Sequence, residues 1–197
     1  MDFLKEGIEQ AKEALEIYER LGNTVGRAEC LVELAWLLYS DKQSDAAEEA
    51  GYRAINLSTE DGEQYRVCES HHIFGHIYRS KGDIEKAIHH CEVALGIASS
   101  FNWGNHLFLV HYSLAQLFLN EDRSDDAQAH IERAKSHTVN NIYFLGRIMK
   151  LQAEVWYRQH RLEGARSEAL RAIDIFEKLG AAKDTQDCRK ILQRIEA

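Results

Sequence analysis

Small residues recur along the chain at a nearly constant spacing of about 40 residues, within the range that indicates a repeat protein. One series consists of Ala14, Ala54, Ala94, Ala134 and Ala172. A second series consists of Ala35, Gly75, Ala115 and Ala153. Two independent markers with one period indicate a repeat array, whose neighbouring units stack to bury a continuous core.

Each repeat contains two amphipathic helical segments. In the first repeat, apolar residues share a face at i, i+3, i+4 and i+7 over residues 31–38, and at i, i+3, i+7 and i+10 over residues 47–57. The chain has no proline among its 197 residues, so nothing interrupts these segments as proline would. Ala or Gly lets the two helices of a hairpin approach closely, and the larger Leu38, Tyr78, Phe118 and Trp156 fill the space one turn further on. We therefore predict an all-α solenoid of helical hairpins.

The period also predicts the organisation of the chain as a single array over residues 1–197. It consists of a half unit at 1–21, full hairpins at 26–60, 63–100, 104–138 and 141–180, and a closing helix at 183–196. A stacked repeat cannot bury its apolar face alone, so a half unit leaves that face open. We expect the chain to be a fragment of a longer protein, or to pair its half units between molecules.

Charge and composition exclude several classes of function. The net charge of −8, with 24 Lys and Arg against 32 Asp and Glu, argues against a nucleic-acid binder. No signal peptide and no long apolar run is present, so we expect a cytoplasmic protein without a membrane span. Four widely spaced cysteines suggest neither a zinc cluster nor disulfides. With no phosphate loop and no Gly-x-Ser-x-Gly motif, we expect neither catalysis nor a cofactor.

The repeats resemble the tetratricopeptide repeat (TPR). The unit that matches its signature best contains Phe74, Gly75, Tyr78, Gly82, Ala87, Cys91 and Ala94, and the last full unit contains Ala153, Trp156, Ala165, Ala169 and Ala172. The long period is similar to that of repeats in kinesin light chains, in the Leu-Gly-Asn G-protein modulators and in the arrays attached to signalling ATPases. The resemblance implies a right-handed α-solenoid whose first helices line a concave, ligand-binding surface.

That resemblance implies a set of ligand-facing residues on the first helices. They are Val32, Trp36, Tyr39, His72, His76, Arg79, Tyr112, Gln116, Asn120, Arg147, Lys150, Tyr157 and Arg158. Trp36 follows Ala35 directly and is the expected aromatic anchor. The set grades from aromatic to basic along the chain, which would suit a protein or peptide with an acidic segment.

Three functions remain open from the sequence. The first is a protein- or peptide-binding scaffold within a larger regulatory protein. The second is self-assembly through the terminal half units, giving a homo-oligomer. The third is a metal site at Glu69, His72 and His76, which lie on one helical stripe but lack an evident fourth ligand. His71, His89 and His90 are interpreted as surface or packing residues.

Overall fold

The computed structural model of the chain is built of α-helices. It describes residues 2–60, 62–137 and 141–196, and over these ranges there are ten helices and no strand. The predicted all-α fold class is confirmed. Contacts divide the chain into two compact units, Met1–Trp103 and Gly104–Ala197. The single array over residues 1–197 therefore stays a prediction, and each unit is described by itself.

Unit 1 contains one leading helix and two helical hairpins. Its helices are α1 (Asp2–Arg20), α2 (Thr24–Ser40), α3 (Ser44–Glu60), α4 (Gln64–Lys81) and α5 (Ile84–Ser100). The pairs α2 with α3 and α4 with α5 form the hairpins, and each helix also packs on the next one along the chain within the unit. The two first helices, α2 and α4, contact each other as well. This contact places side chains of two repeats on one surface.

Unit 2 contains two hairpins followed by one helix. Its helices are α6 (Gly104–Asn120), α7 (Ser124–Lys135), α8 (Ile142–Arg158), α9 (Leu162–Lys178) and α10 (Ala182–Glu196). Here α6 pairs with α7 and α8 with α9, while α10 packs on both α9 and α8. Residue 1 of the predicted half unit and residue 138 of the predicted third hairpin lie outside the described residues. So do residues 61, 139, 140 and 197 of the predicted array.

The periodic small residues lie where helices cross. Ala54, Ala94, Ala134 and Ala172 of the second helices are completely buried. Of the first-helix series, Ala35, Ala115 and Ala153 are also completely buried. Gly75 shows how close the helices come, because a Cβ placed on it would lie 2.3 Å from the Cys91 Sγ. Larger side chains would force the hairpin apart.

Eight turns between helices each contain one described residue with a left-handed backbone. Among the described residues, four of these are glycines, namely Gly22, Gly62, Gly82 and Gly180, with φ between 64° and 80°. The other four are Lys42, Asn102, Asp122 and His160, with φ between 52° and 63°. Over the range 22–122 these positions are evenly spaced at half the repeat period, so they mark both the turn within each hairpin and the turn that follows it. This turn ends a helix without a proline.

Candidate protein-binding site

Four rings meet on the first helices of unit 1. Trp36 and Tyr39 come from α2, and His72 and His76 come from α4. The Trp36 ring centroid lies 5.2 Å from that of His76 and 5.8 Å from that of His72, while Tyr39 lies 5.8 Å from His76. Trp36, Tyr39 and His76 are half-buried, so part of each ring stays accessible. We call these four residues the ring cluster.

Glu69 is not available to complete a metal site beside the ring cluster. Its carboxylate accepts a hydrogen bond from Arg66 at 2.6 Å, and Arg66 also pairs with Glu29 on α2 at 2.5 Å. His72 and His76 lie 3.3 Å apart between their Nε2 atoms. Among the described residues, no group of three or more His, Cys, Asp or Glu side chains could hold a metal ion. The proposed site at Glu69, His72 and His76 is therefore not supported.

One position of the repeat is turned away from solvent, contrary to the expected ligand-facing surface. Val32, His72 and Tyr112 occupy this position in successive repeats, and they are 4%, 5% and 3% exposed. Lys150 occupies it in the last hairpin, where 19% of its side chain is exposed. His72 contacts Trp36 of α2, and Lys150 pairs with Asp184 of α10. At these two residues a neighbouring helix of the same unit covers the surface that a ligand would need.

In unit 2 the Arg147 guanidinium covers aromatic rings. Its Cζ lies 4.0 Å from the centroid of Tyr112 on α6 and 5.8 Å from that of Phe108. The Gln116 amide donates a hydrogen bond of 3.4 Å to the Tyr112 hydroxyl. Among the described residues Arg147 forms no ion pair. Arg147 and Gln116 are half-buried, so both remain candidates for contact with a ligand.

Lys150 forms an ion pair inside unit 2. Its ammonium forms an ion pair with Asp184 of α10, which also accepts a hydrogen bond of 3.1 Å from the Tyr143 hydroxyl. Burial alone would raise the pKa of Asp184, but the hydrogen bond and charge of Lys150 outweigh it, so the pKa is lowered. The Lys150 ammonium also lies 5.6 Å from the ring centroid of Phe176. Its charge is already compensated.

Arg158 is likewise held by neighbouring residues. It pairs with Asp122 at 3.0 Å and with Glu154 at 3.5 Å, and it donates a hydrogen bond to the Leu119 carbonyl. Glu154 also pairs with Arg194 at 2.5 Å, and that guanidinium lies 4.5 Å from the ring centroid of Tyr157. Of the three basic residues expected to receive an acidic segment, Arg147 is thus the one that makes no ion pair among the described residues.

Two remaining predicted residues lie near the ends of first helices. Arg79 is half-buried in the last turn of α4, and Asn120 is exposed as the last residue of α6. Their role as ligand-facing residues stays a prediction.

Three of the four cysteines are buried side chains. Cys68, Cys91 and Cys188 are buried, and Cys30 is partly exposed; all four are free thiols. Burial is the largest cause that raises the pKa of Cys68 and Cys91 to about 12 and that of Cys188 to about 11. These thiols stay protonated at neutral pH and are poor nucleophiles.

Two histidine pairs are absent from the sequence-based expectations. His71 of α4 and His90 of α5 lie 2.9 Å apart between their Nδ1 atoms. His111 of α6 and His130 of α7 repeat this contact at 3.0 Å. Both members recur one repeat later in the chain, and this shared spacing is the signal that could have found them. We call them the first and second histidine pairs.

The structure contains no helix, among the described residues, with the length and apolar character needed to cross a bilayer.

Comparison with known proteins agrees with this geometry. Residues 69–101 match the family described as tetratricopeptide repeat. The crystal structure of BtubC (BKLC) from P. vanneervenii is similar with a TM-score of 0.74 and 18% identity, covering 98% of this chain and 89% of that one. A kinesin light chain-like protein from Podosopora anserina, whose TPR-like repeats are nearly identical to one another, is similar with a TM-score of 0.68 and 15% identity. That match covers 90% of this chain and 89% of the other.

A Rap protein complexed with Competence and Sporulation Factor has a TM-score of 0.70 and 17% identity. The match covers 96% of this chain and 58% of the Rap protein. No curated protein matches the chain in sequence.

The fold therefore defines a helical-hairpin repeat protein of the kind that commonly serves as a protein-interaction scaffold. More specifically, the chain carries a tetratricopeptide repeat at residues 69–101 and has the TPR-like solenoid fold, which confirms the resemblance to the TPR superfamily.

Proposed function

We propose that this chain is a non-catalytic protein- or peptide-binding scaffold, part of a larger cytoplasmic regulatory protein, and that the ring cluster of unit 1 is its main anchoring site. The ring cluster carries the proposal. Two first helices present rings of Trp36, Tyr39 and His76 that are packed on one another yet partly accessible. Rigid aromatic side chains provide large contact area at a small entropic cost, which is why they dominate binding energy at interfaces.

The ligand-bound Rap protein supports this proposal by its fold. That protein is complexed with Competence and Sporulation Factor, and a chain with a similar arrangement of hairpins is suited to hold a ligand in the same general way. For unit 2 we propose Arg147 as the residue that meets an acidic side chain of the partner, because Lys150 and Arg158 are already paired. Replacing Arg147 by Glu would then weaken binding by charge repulsion.

The test compares proteins captured by the parent chain with those captured by Trp36→Ala. The matched control is Phe101→Ala, which removes an aromatic side chain that is 51% exposed directly after α5, a helix that contributes nothing to the ring cluster. We expect Trp36→Ala to lose partners that Phe101→Ala retains, with circular dichroism showing unchanged helical content for both. If Trp36→Ala captures the same partners as the parent, the ring cluster is not the anchoring site.

Self-assembly is a second proposal with its own observation. Apolar side chains on and near α1 are well exposed, with Phe3 at 88%, Leu21 at 71% and Ile17 at 47%. Such surface is what a second molecule would cover. Sedimentation of the parent chain and of Leu21→Asp over a range of concentrations tests it. A parent that stays monomeric at the highest concentration would exclude assembly.

A further inference from the structure

The two histidine pairs join the helices of a hairpin in the same way. In each pair one imidazole comes from the first helix and the other from the second helix, 19 residues later. Each second-helix imidazole also lies on an aromatic ring of the first helix: His90 stacks on Tyr78 at 5.2 Å with an interplanar angle of 9°, and His130 lies 5.3 Å from Phe118. The same contact is therefore built twice.

The distance between the Nδ1 atoms limits how many protons a pair can hold. At 2.9 or 3.0 Å one Nδ1 donates its proton and the other accepts it through a lone pair. The donor ring can take an extra proton on its Nε2 and still donate. If the acceptor ring is protonated as well, the hydrogen bond is lost and two positive charges face each other at contact distance.

The surroundings of the first pair do not compensate a second charge. His89 and Lys86 on α5 add positive charge beside His90, and Glu48 of α3 is the carboxylate that opposes them. That carboxylate is already engaged by Lys81 at 2.5 Å and by the Tyr78 hydroxyl at 2.5 Å.

The second pair is in a similar position. Arg133 and His137, on α7 and just after it, add positive charge, and Asp126 on α7 opposes it. Asp126 is engaged by Arg123 at 2.7 Å. From α8, the neutral amide of Gln152 reaches α7, where it is hydrogen-bonded to Gln128 and Lys135.

We propose that the histidine pairs are proton-responsive contacts, which hold α4 on α5 and α6 on α7 at neutral pH and loosen both hairpins in mild acid. This regulation is separate from the proposed function, because it concerns the contact between the two helices of a hairpin rather than the ring cluster. Its consequence for the ring cluster is indirect: α4 carries His72 and His76, so loosening of α4 from α5 would disturb that surface.

The direction of the pH dependence follows from the shifts. Burial is the largest cause that lowers the pKa of His71, His111 and His130 to about 4, and it lowers the pKa of His90 as well. In the unfolded chain a histidine has a pKa of about 6.5. Because the folded values are lower, unfolding takes up protons between these limits. The contribution of these histidines to the free energy of unfolding is therefore complete above pH ~6.5 and is lost as the pH falls toward ~4.

The experiment measures the free energy of unfolding in urea at several pH values from 7.5 to 4. In the parent chain, three histidines shifted to about 4 predict an uptake of about three protons on unfolding near pH 5. The test variant is His71→Asn/His111→Asn, because an amide can keep the contact with the partner Nδ1 but does not titrate. We expect the uptake to fall by about two protons.

The matched control is His89→Asn, which replaces an exposed histidine next to His90. It should leave most of the proton uptake in place. An equal pH dependence in the parent and the double variant would overturn the proposal, and so would an equal reduction in the control.

A second measurement uses the unaltered chain, so the proposal stays testable if the double variant does not fold. Amide hydrogen-exchange protection factors of α4 to α7 are compared at pH 7 and pH 5. We expect protection in these four helices to fall more than in α9, which contains no histidine. A uniform change across all helices would contradict the proposal.

Discussion

Lys150 of α8 forms an ion pair with Asp184 of α10, 34 residues further along the chain. Both side chains are about four-fifths buried, and the Tyr143 hydroxyl donates a hydrogen bond to the same carboxylate. The pair connects the last hairpin to the helix that covers it. A lysine expected to contact a ligand thus stabilises the packing of unit 2.

Asp184→Asn tests how much this pair contributes to stability. The variant leaves the Lys150 ammonium above the Phe176 ring without its charge partner, and we expect a loss of about 1–3 kcal/mol in the free energy of unfolding. The lowered pKa of Asp184 further predicts that this contribution is present above pH ~3.9 and disappears as the pH falls below it. Urea unfolding at pH 7 and at pH 3 measures both effects.

Asp174→Asn is the control, since Asp174 pairs with Lys178 at 2.6 Å on the surface of α9, where the lysine and aspartate side chains are 67% and 62% exposed. Such a pair contributes less than about 1 kcal/mol. Equal losses for the two variants would show that burial of the Lys150 pair adds nothing.

The sequence is sufficient to predict the fold because the small residues are determined by local packing within a hairpin. Ala35 and Ala54 recur with the period, and each is completely buried as expected. The ring cluster is only half predictable. Trp36 lies next to Ala35 and is expected at the surface, as are His72 and His76, but the contacts among the rings require two helices of different repeats.

The buried position shared by Val32, His72, Tyr112 and Lys150 could not be predicted in this way. A stripe at steps of three and four identifies one face of a single helix, whereas burial at this position depends on a neighbouring helix of the same unit, as His72 against Trp36 shows. The group that covers this position differs between repeats: it is the Arg147 guanidinium over Tyr112 and the Asp184 carboxylate beside Lys150. Contacts between residues so distant in sequence leave no local pattern.

Gly75→Ala tests the close approach of α4 and α5. The added Cβ would lie 2.3 Å from the Cys91 Sγ and 3.4 Å from the Ala87 carbonyl oxygen, and Cys91 is completely buried. We expect a loss of about 1–3 kcal/mol in the free energy of unfolding, since a packed core cannot absorb the extra methyl group without moving. Thermal and urea unfolding provide the measurement.

Gly96→Ala is the matched control for Gly75→Ala. Gly96 lies inside α5, and outside its own helical backbone no atom of the described residues lies within 4 Å of the added Cβ. There we expect a gain of about 0.5–1 kcal/mol, because alanine has the higher helix propensity. The opposite signs of the two substitutions distinguish packing from propensity. A gain in both would mean that α4 and α5 do not approach as described.

Asn141→Ala tests the start of α8. The Asn141 side chain accepts a hydrogen bond of 3.0 Å from the Phe144 backbone N–H, satisfying a donor that has no partner within the helix. We expect a loss of about 1 kcal/mol. Glu63→Ala is the control, because Glu63 precedes α4 without a side-chain capping hydrogen bond. A loss as large in the control would assign the effect to helix propensity rather than to the cap.

The turn positions allow a reciprocal test at Lys42 and Gly82. Both residues follow the first helix of a hairpin in a left-handed conformation, with φ of 63° and 80°. Left-handed backbone costs a residue with a Cβ about 1 kcal/mol, and glycine avoids this cost.

We therefore expect Lys42→Gly to raise the free energy of unfolding by about 0.5–1 kcal/mol and Gly82→Ala to lower it by about 1 kcal/mol. Apart from the residues adjacent to Gly82 in the chain, no described residue has an atom within 4 Å of a Cβ placed there, so the loss would come from backbone conformation and not from a clash. Urea unfolding of both variants and of the double variant measures these effects. Since the two turns are separate, the two changes should add to within about 0.5 kcal/mol. Changes of the same sign at the two positions would mean that the turns do not share this backbone conformation.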